Sequence, residues 1–247
     1  MKQKTENEIL LMRKACEITG NTLKYLKTCI KPGISTLELD NFAKKYILEC
    51  GATPAFLNYN GFPGSICASP NDVVVHGIPS KDVVLKEGDI ISIDVGACYK
   101  GYNGDAARTF PVGKISEEKE KLIRVTEESF FEGIKHLRVG SRLGELSHAI
   151  QVHAEKHGYG VVRELVGHGV GARLHEDPSI PNYGYVNQGP IVEKNVTLAI
   201  EPMINMGTRK IYMEDDDWTI RTADGMPSAH YENTVLVTED GVEILTL

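Results

Sequence analysis

The sequence predicts an α+β fold made of two similar halves, and two observations support this prediction. Amphipathic helical patterns alternate with short apolar, β-branched segments along the 247 residues, as expected where helices pack on sheets. The order of helix, break, helix and strand then recurs at a constant offset of 107 residues, which indicates an internal repeat. We therefore expect a single domain over 1–247, with an N-terminal half of about 5–112 and a C-terminal half of about 113–247.

Composition and charge exclude several classes of protein. Hydrophobic residues make up 41% and charged residues 25% of the chain, and the net charge is -7. These values are ordinary for a globular protein and give no electrostatic case for binding nucleic acid or an anionic membrane. We find no signal peptide, no apolar run long enough to span a membrane, and no Cys-x-x-Cys pair among the five cysteines. A cytoplasmic protein without disulfides is therefore expected.

Two helices are predicted at the start of the chain. The segments Thr5–Glu8 and Ser35–Glu38 have the spacing of capping boxes, and Gly33 and Gly51 mark the helix ends. A short strand ending at His76 is predicted further on. The expected buried faces are Ile9, Met12, Cys16, Thr19, Leu23 and Leu26 in the first helix, and Leu39, Phe42, Ala43, Tyr46, Ile47 and Cys50 in the second.

The first half is predicted to end in a β-hairpin that carries two acids. The apolar run Ile90–Ile93 predicts a strand, and Lys100-Gly101 is a turn signal. With a two-residue turn, Asp105 lies opposite Gly96, and Asp94 and Asp105 are diagonal neighbours about 7 Å apart at Cβ. Such carboxylates repel unless a proton or a cation lies between them. The pair is therefore either a cation site or two solvated turn acids, and the hairpin alone leaves both open.

The pattern restarts in the second half. Strands are predicted at Val161–Val162 and Val196–Ile200, and a hairpin at Thr234–Leu245. The offset maps Asp94 to Glu201, so that both halves end a strand on an acid. If the repeat is real, the acids meet where two sheets join; the alternative is coincidence between two helical hairpins. Two helices between Ser116 and Gly158 have predicted buried faces at Leu122, Val125, Ser129, Ile134 and Leu137, and at Leu146, Ala149, Ile150, His153 and Ala154.

Further metal-ligating side chains follow. Glu201 and Glu232 lie inside apolar, strand-like sequence, and acids are rarely buried without a partner. His168 is flanked by glycines that leave its imidazole unobstructed. Together with Asp94 and Asp105, these residues suit two divalent first-row metals that share carboxylates and a water, about 3.5–4 Å apart. The absence of thiolates argues against a structural zinc site.

Other patterns are weaker. His153 and His157 have helical ligand spacing but lack the His-Glu-x-x-His pattern, and a pair on a helix surface is the simpler interpretation. The glycines around His168 lack the Lys-Ser/Thr of a phosphate loop. The acidic run 214–217 lacks the spacing of a calcium loop. Cys67 has no identifiable base beside it, so a cysteine nucleophile is not favoured.

The ordered set Asp94, Asp105, His168, Glu201 and Glu232 resembles the dinuclear metal site of the methionine aminopeptidases, most closely the type I bacterial form. The resemblance covers nearly the whole chain and implies the pita-bread (creatinase/aminopeptidase) fold with its pseudo-two-fold repeat. The motifs that carry it are Asn-Asp-Val-Val-Val-His76-Gly-Ile-Pro, Asp94-Val, Gly104-Asp105, Gly-His168-Gly-Val-Gly-x-x-x-His175-Glu, Ile-Glu201-Pro-Met and Tyr-Glu232-Asn-Thr.

The resemblance implies a role for each ligand. Asp94 would chelate the first of two divalent ions, Asp105 and Glu232 would bridge the two, and His168 and Glu201 would complete the second. Glu201 would also handle the proton of the metal-bound hydroxide. The ions would be cobalt, manganese, iron or similar.

The resemblance also implies substrate-contacting residues. His175 would stabilise the tetrahedral intermediate, and His76 would contact the scissile amide. The substrate-binding positions that line the methionine pocket are matched by Tyr59, Phe62, Cys67, Leu174 and Trp218, and the soft apolar walls of such a pocket suit a thioether. A monovalent-cation site seen in some members matches Asn71, Val73 and Ser228. Departures from the family pattern near the pocket are Leu174 and Leu165 in place of aromatics, Phe62 without a common hydroxyl, and Val75 in place of a frequent cysteine.

The implied function is hydrolytic removal of the N-terminal methionine from nascent proteins when the second residue is small, by attack of metal-bound hydroxide. The implied partners are nascent N-termini at the ribosome, and a monomer is expected. Two alternatives stay open. A prolidase or proline-specific aminopeptidase has the same five ligands but usually an extra N-terminal domain. A non-catalytic binding protein on this fold would have lost ligands, whereas all five are present.

Overall fold

The computed structural model describes residues 1–247 and contains four α-helices, one short 3₁₀ helix and fifteen strands. The helices are α1 (Glu6–Cys29), α2 (Thr36–Glu49), α3 (Glu117–Ile134) and α4 (Leu143–Lys156), with the 3₁₀ helix at Tyr59–Gly61. The strands are β1 (Thr53–Pro54), β2 (Ile66–Pro70), β3 (Val73–Val75), β4 (Ile90–Tyr99), β5 (Tyr102–Pro111), β6 (Gly160–Val161), β7 (Gly167–Gly169), β8 (Glu176–Ile180), β9 (Val196–Ile200), β10 (Met203–Asn205), β11 (Ile211–Met213), β12 (Ile220–Thr222), β13 (Ser228–His230), β14 (Asn233–Thr238) and β15 (Gly241–Ile244).

The first two helices begin where the capping boxes predict. Thr5 and Ser35 each accept a hydrogen bond from the backbone N–H three residues on, and the glutamate at that position bonds back. Helix α1 packs closely on β5, since a Cβ on Gly104 would lie 2.7 Å from the Cα of Cys16. The capping signals in the sequence are therefore confirmed.

The buried face of α2 is narrower than predicted. Phe42 is 37% exposed, and Tyr46 and Cys50 are only half-buried. Tyr46 stacks on Tyr25 of α1, with ring centroids 5.2 Å apart. Asp40 is buried instead, because its carboxylate accepts backbone hydrogen bonds from Ser65 and Ile66 at 2.6 and 3.0 Å. The core stripe thus consists of Leu39, Ala43 and Ile47.

Strands β4 and β5 form the predicted hairpin. Gly96 is paired with Asp105 and Tyr99 with Tyr102, so the turn is Lys100-Gly101, both with positive φ (47° and 83°). This is the conformation that two-residue hairpin turns favour. Strand β4 also pairs with β2 and β1 in the same sheet, which places Asp94 in the middle of the N-terminal half.

The second half repeats this order with changes. Helix α3 ends at Ile134, so Leu137 is buried in the loop beyond the helix rather than within it. Strands β9 and β14 pair antiparallel, as do β10 and β13. The last hairpin turns at Glu239-Asp240, because Thr238 already pairs with Gly241. Besides Tyr46 and Cys50, four further residues of the predicted helix faces are half-buried rather than buried: Ile9, Ile134, Ala149 and His153.

The two halves join along β5 and the segment between β13 and β14. The N–H of Ala107 donates to the carbonyl of Glu232 at 3.3 Å, and the N–H of Glu232 donates to the carbonyl of Ala107 at 2.9 Å. Thr234 Oγ1 donates to the carbonyl of Asp105 at 2.8 Å and accepts from its N–H at 3.1 Å. The junction therefore lies beside the acids of both halves, which confirms the predicted pseudo-symmetric arrangement.

Each half has its own apolar core. The largest cluster packs α1 and α2 on the sheet around Ile91, Ile93 and Val95. A second packs α3 and α4 on β9 and β14 around Phe130 and Leu198. None of the four helices combines the length and the apolar character that a membrane-spanning helix needs.

Candidate active site

A cavity of about 400 Å³ opens at the junction of the two halves. All but two of its lining residues were predicted as metal ligands or substrate contacts; Phe56 and Asn60 were not. The lining consists of Phe56, Tyr59, Asn60, Phe62, Cys67, His76, Asp94, Asp105, His168, Leu174, His175, Glu201, Trp218 and Glu232. The structure thus brings together residues that lie up to 176 positions apart in the chain, from Phe56 to Glu232.

Strand pairing delivers the five candidate ligands to one place. Asp94 and Asp105 point from β4 and β5, and Glu201 and Glu232 lie where β9 ends and β14 begins. His168 on β7 pairs with Ala199 of β9. Because Ala199 is two residues before Glu201, this pairing brings His168 close to Glu201. One ligand atom from each of Asp105, His168 and Glu232 lies within 4.8 Å of the others.

The four carboxyl groups lie together, with Asp105 and Glu232 buried and Asp94 and Glu201 half-buried. The nearby guanidinium of Arg108 donates to the backbone carbonyl of Glu232 rather than to a carboxylate oxygen. Burial, reinforced by the neighbouring acids, raises the pKa values of Asp94, Glu201 and Glu232 well above the usual range. Burial also raises the pKa of Asp105 to about 7. One buried oxygen each of Asp94 and Asp105 has no hydrogen-bond partner. Buried carboxylates normally have a cation or a donor opposite them, so this set fits divalent ions.

His168 is oriented as a metal ligand would be. Its Nδ1 lies 2.9 Å from the carbonyl of Gly169, which can only accept, so Nδ1 carries the proton and Nε2 keeps its lone pair. Burial lowers the pKa of His168 to about 4, which keeps the imidazole neutral. Nε2 lies 3.6 Å from Glu201 and 3.8 Å from Asp105. These separations suit atoms that share an ion about 2 Å from each.

Two further histidines line the cavity. Nδ1 of His175 lies 2.8 Å from the hydroxyl of Tyr59, and its ring centroid lies 4.1 Å from that of His168. His76 follows β3 with a positive φ of 58°, a strained conformation for a residue with a Cβ. Burial lowers the pKa of His76 to about 4. His175 is therefore held at the cavity by Tyr59, and the ring of His76 lies edge-on to that of Trp218, with centroids 6.3 Å apart.

His230 is a buried neighbour of the acids that the sequence predictions missed. Its Nε2 lies 3.7 Å from Glu201 and 3.9 Å from Glu232 and has no hydrogen-bond partner. Burial lowers its pKa to about 3. Residues two apart on a strand point to the same face, so the spacing of His230 and Glu232 was the signal that could have found it.

The other end of the cavity is apolar. Phe62 and Trp218 pack edge to face with centroids 5.1 Å apart, and Phe56, Cys67 and Leu174 complete the cluster. Burial raises the pKa of the Cys67 thiol well above its usual value, so the sulfur is a neutral wall atom. Phe56, which lies in a loop without a clear pattern, could not be assigned to this wall from the sequence.

The residues predicted for a monovalent cation lie near one another. The N–H of Ser228 donates to the carbonyl of Asn71 at 2.9 Å, and Val73 lies on β3, two residues further on. The side-chain oxygen of Asn71 accepts from the ammonium of Lys119 at 3.3 Å, and the same ammonium donates to the carbonyl of Gly88 at 2.7 Å. A positive charge of the chain itself therefore already borders this region.

The chain was compared with protein families and with individual proteins. Residues 10–239 match the model of metallopeptidase family M24. The methionine aminopeptidase of Clostridium acetobutylicum is 53% identical over 244 residues, which cover 99% of this chain and 98% of that protein. Methionine aminopeptidase 1 of Bacillus subtilis is 53% identical over 243 residues, with 98% of each chain covered.

Solved structures give the same picture. The crystal structure of methionine aminopeptidase from Thermotoga maritima superposes with a TM-score of 0.98 at 44% identity and covers 100% of this chain and 99% of that chain. The prolidase from Pyrococcus furiosus superposes with a TM-score of 0.81 at 27% identity, covering 99% of this chain but 65% of the prolidase. Both have the pita-bread arrangement, which confirms the predicted fold class.

Proposed function

Because the chain belongs to metallopeptidase family M24 and, within it, to the methionine aminopeptidases, we propose that it removes the N-terminal methionine of nascent proteins when the second residue is small. The observation that carries this proposal is the lining of the cavity: four carboxyl groups, two buried and two half-buried, and a neutral imidazole lie at one end, and soft apolar walls lie at the other. An exopeptidase needs both features, one to hydrolyse the amide and one to select the first side chain.

Two divalent ions would be held by the five ligands. Asp94 would chelate the first ion, Asp105 and Glu232 would bind both, and His168 and Glu201 would complete the second. When bound, the ions lower the pKa of a shared water, which makes a hydroxide available at neutral pH, and they offset the charge of the carboxylates. Cobalt, manganese and iron all suit this oxygen-rich set, and the free α-amine of the substrate would bind at the same centre.

The chain's own side chains would handle the proton and the substrate. Glu201, whose pKa is raised by burial, would accept the proton that the attacking water loses and return it to the leaving amine. His175, fixed by Tyr59, would donate a hydrogen bond to the oxygen of the tetrahedral intermediate. His76 would contact the scissile amide and position it from the opposite side.

The apolar end would select methionine. Its wall has no charged atoms and consists of Tyr59, Phe62, Cys67, Leu174 and Trp218. A polarizable thioether packs well against aromatic edges. We further propose nascent N-termini at the ribosome as partners, a monomeric enzyme, a cytoplasmic location, and one monovalent cation bound at Asn71, Val73 and Ser228.

Peptide assays test this proposal. The metal-loaded protein is expected to cleave a peptide beginning Met-Ala rapidly, one beginning Met-Lys slowly and one beginning Ala-Pro not at all. Removal of metal by a chelator should abolish cleavage, and cobalt or manganese should restore it. Rapid cleavage of the Ala-Pro peptide with Met-Ala untouched would instead favour the prolidase activity of the structural neighbours on the same fold.

A further inference from the structure

A second group of metal-ligating side chains lies on the outer surface, away from the active-site cavity. His153 lies in the last turn of α4, His157 follows directly as the residue that caps the end of this helix, and Glu128 projects from α3 beside them. One ligand atom from each lies within 4.8 Å of the other two. Only the two histidines at helical spacing are visible in the sequence. The packing of α3 against α4 supplies the third ligand, Glu128.

Hydrogen bonds already orient the two imidazoles. Nδ1 of His157 lies 2.9 Å from the carbonyl oxygen of His153, which can only accept, so Nδ1 carries the proton and Nε2 keeps its lone pair. Histidines that bind metals commonly have this tautomer and this type of backbone partner. Nε2 of His153 lies 3.2 Å from Oε2 of Glu128, and the two rings are 4.8 Å apart at their centroids.

The surroundings admit a cation. The three residues are half-buried, so part of each side chain is covered by the protein and part is open to solvent. Arg124 approaches the other oxygen of Glu128, Oε1, at 3.6 Å and leaves Oε2 directed at the histidine. The adjoining groove contains the carboxylates of Glu132 and Glu145 as well as the ammonium of Lys156, so acidic and basic groups both border the cluster.

We propose that Glu128, His153 and His157 bind one divalent transition metal ion of the Zn²⁺ or Ni²⁺ type, and that this ion bridges α3 and α4. A site of two imidazoles and a carboxylate suits such borderline ions better than it suits Mg²⁺ or Ca²⁺. The site shares no residue with the five-ligand centre, and the two sites can therefore be emptied independently by mutation.

Equilibrium dialysis against Ni²⁺ tests the site. The His157→Gln and Glu128→Gln variants are expected to bind one Ni²⁺ fewer per chain than the wild type, or to bind it at least about tenfold more weakly. His136→Gln is the matched control, because His136 is an exposed histidine in the adjoining groove but not a member of the cluster. The manganese-loaded aminopeptidase activity of His157→Gln should equal that of the wild type.

A second experiment removes the contribution of the active site. In a chain with Asp105→Asn and Glu232→Gln, one Ni²⁺ should remain bound, and it should be lost on adding His157→Gln. Unchanged Ni²⁺ binding by His157→Gln and Glu128→Gln in the wild-type background, or an equal loss in His136→Gln, overturns the proposal whether or not the double variant folds.

Discussion

The β4–β5 hairpin of the N-terminal half is continuous, whereas its counterpart in the C-terminal half is interrupted on both strands. In the first, ten residues on each strand pair without a break, and Asp94 pairs with Ala107 rather than with Asp105. In the second, β9 gives way to β10 around Pro202, and β13 gives way to β14 around Tyr231. Proline cannot donate to a ladder, which accounts for the break on the first of these strands.

The interruption changes how the acids face each other. The pairs Ile200–Asn233 and Met203–His230 belong to one register, and that register places Glu201 directly opposite Glu232. Asp94 and Asp105 are diagonal neighbours instead. The longer loop of the second half also contains β11 and β12 and carries Trp218. The continuous hairpin is therefore the simpler copy, and the interrupted one adds Trp218 to the apolar end of the cavity.

The largest effect is expected from a substitution in the β4–β5 hairpin, the simpler of the two copies. Asp105→Asn removes a shared charge from both proposed ions, so cleavage of a Met-Ala peptide should fall more than about 100-fold. Metal content, measured on the same sample, should fall as well. Lys100→Ala, in the turn of the same hairpin, is the control and should leave activity unchanged. Near-normal activity of Asp105→Asn with metal retained would contradict the shared role of this carboxylate.

A smaller effect is expected from a substitution in the longer loop of the second half, which carries Trp218. Trp218→Ala removes the edge-to-face contact with Phe62, so KM for Met-Ala peptides should rise about tenfold while kcat changes little. Tyr212→Ala, in the same loop but 49% exposed, should change neither constant. If Trp218→Ala reduces kcat alone, the loop contributes to the chemistry and not to side-chain selection.

Leu174 tests how closely the pocket wall fits its substrate. Leu174→Phe should change the preference between methionine and norleucine substrates a few-fold, because the side chain is buried in the apolar cluster, and overpacking such a wall alters its shape. Maximal rate with the preferred substrate should stay within about twofold. A large fall in maximal rate with unchanged preference would place Leu174 outside the pocket in solution.

The smallest expected effect concerns stability and pH. The folded-state pKa of Asp105, about 7, is above its usual 3.8, so its contribution to stability is lost as pH rises through that range. The buried histidines have lowered pKa values and act in the opposite direction, and this effect fades as the pH rises above about 6.5, where histidines of the unfolded chain also lose their protons. Because the pKa values of Asp94, Glu201 and Glu232 are raised as well, metal-free protein should lose stability between pH 6.5 and 8.

Denaturant unfolding of the metal-free protein measures this loss. In the Asp105→Asn variant the free energy of unfolding should fall less steeply with pH. The neutral amide does not titrate, so fewer carboxyl groups with a raised pKa remain. Metal-loaded protein should not lose stability in this range, because the ions favour the ionised carboxylates. A metal-free protein that becomes more stable from pH 6.5 to 8 would contradict the charge burial described for the acids.

Local signals in the sequence were enough to predict much of the fold. Two capping boxes, the Lys100-Gly101 turn and the register that puts Asp105 opposite Gly96 depend on neighbours within a few residues, and the structure confirms each. Phe42 was misplaced because periodicity defines a helical stripe but not its width. That width depends on which neighbouring element covers the helix, and a single sequence does not contain it.

The site was predictable as a set of residues but not as an arrangement. The offset between the halves relates Asp94 to Glu201, yet it could not show that the second pair of acids is directly opposed. His230 was missed because a buried histidine has no local signature apart from its spacing to Glu232. Glu128 was missed as a neighbour of His153 because the two helices meet only in three dimensions.

The reciprocal hydrogen bonds between Thr234 and the backbone of Asp105 join positions 129 residues apart. Contacts of such long range form late in folding, because the intervening chain must first be closed into a loop. The ligands contributed by the two halves therefore come together only when the two halves are docked. An ion that needs ligands from both adds its binding energy to the completed fold alone, so metal uptake by this chain should report the last step of its folding.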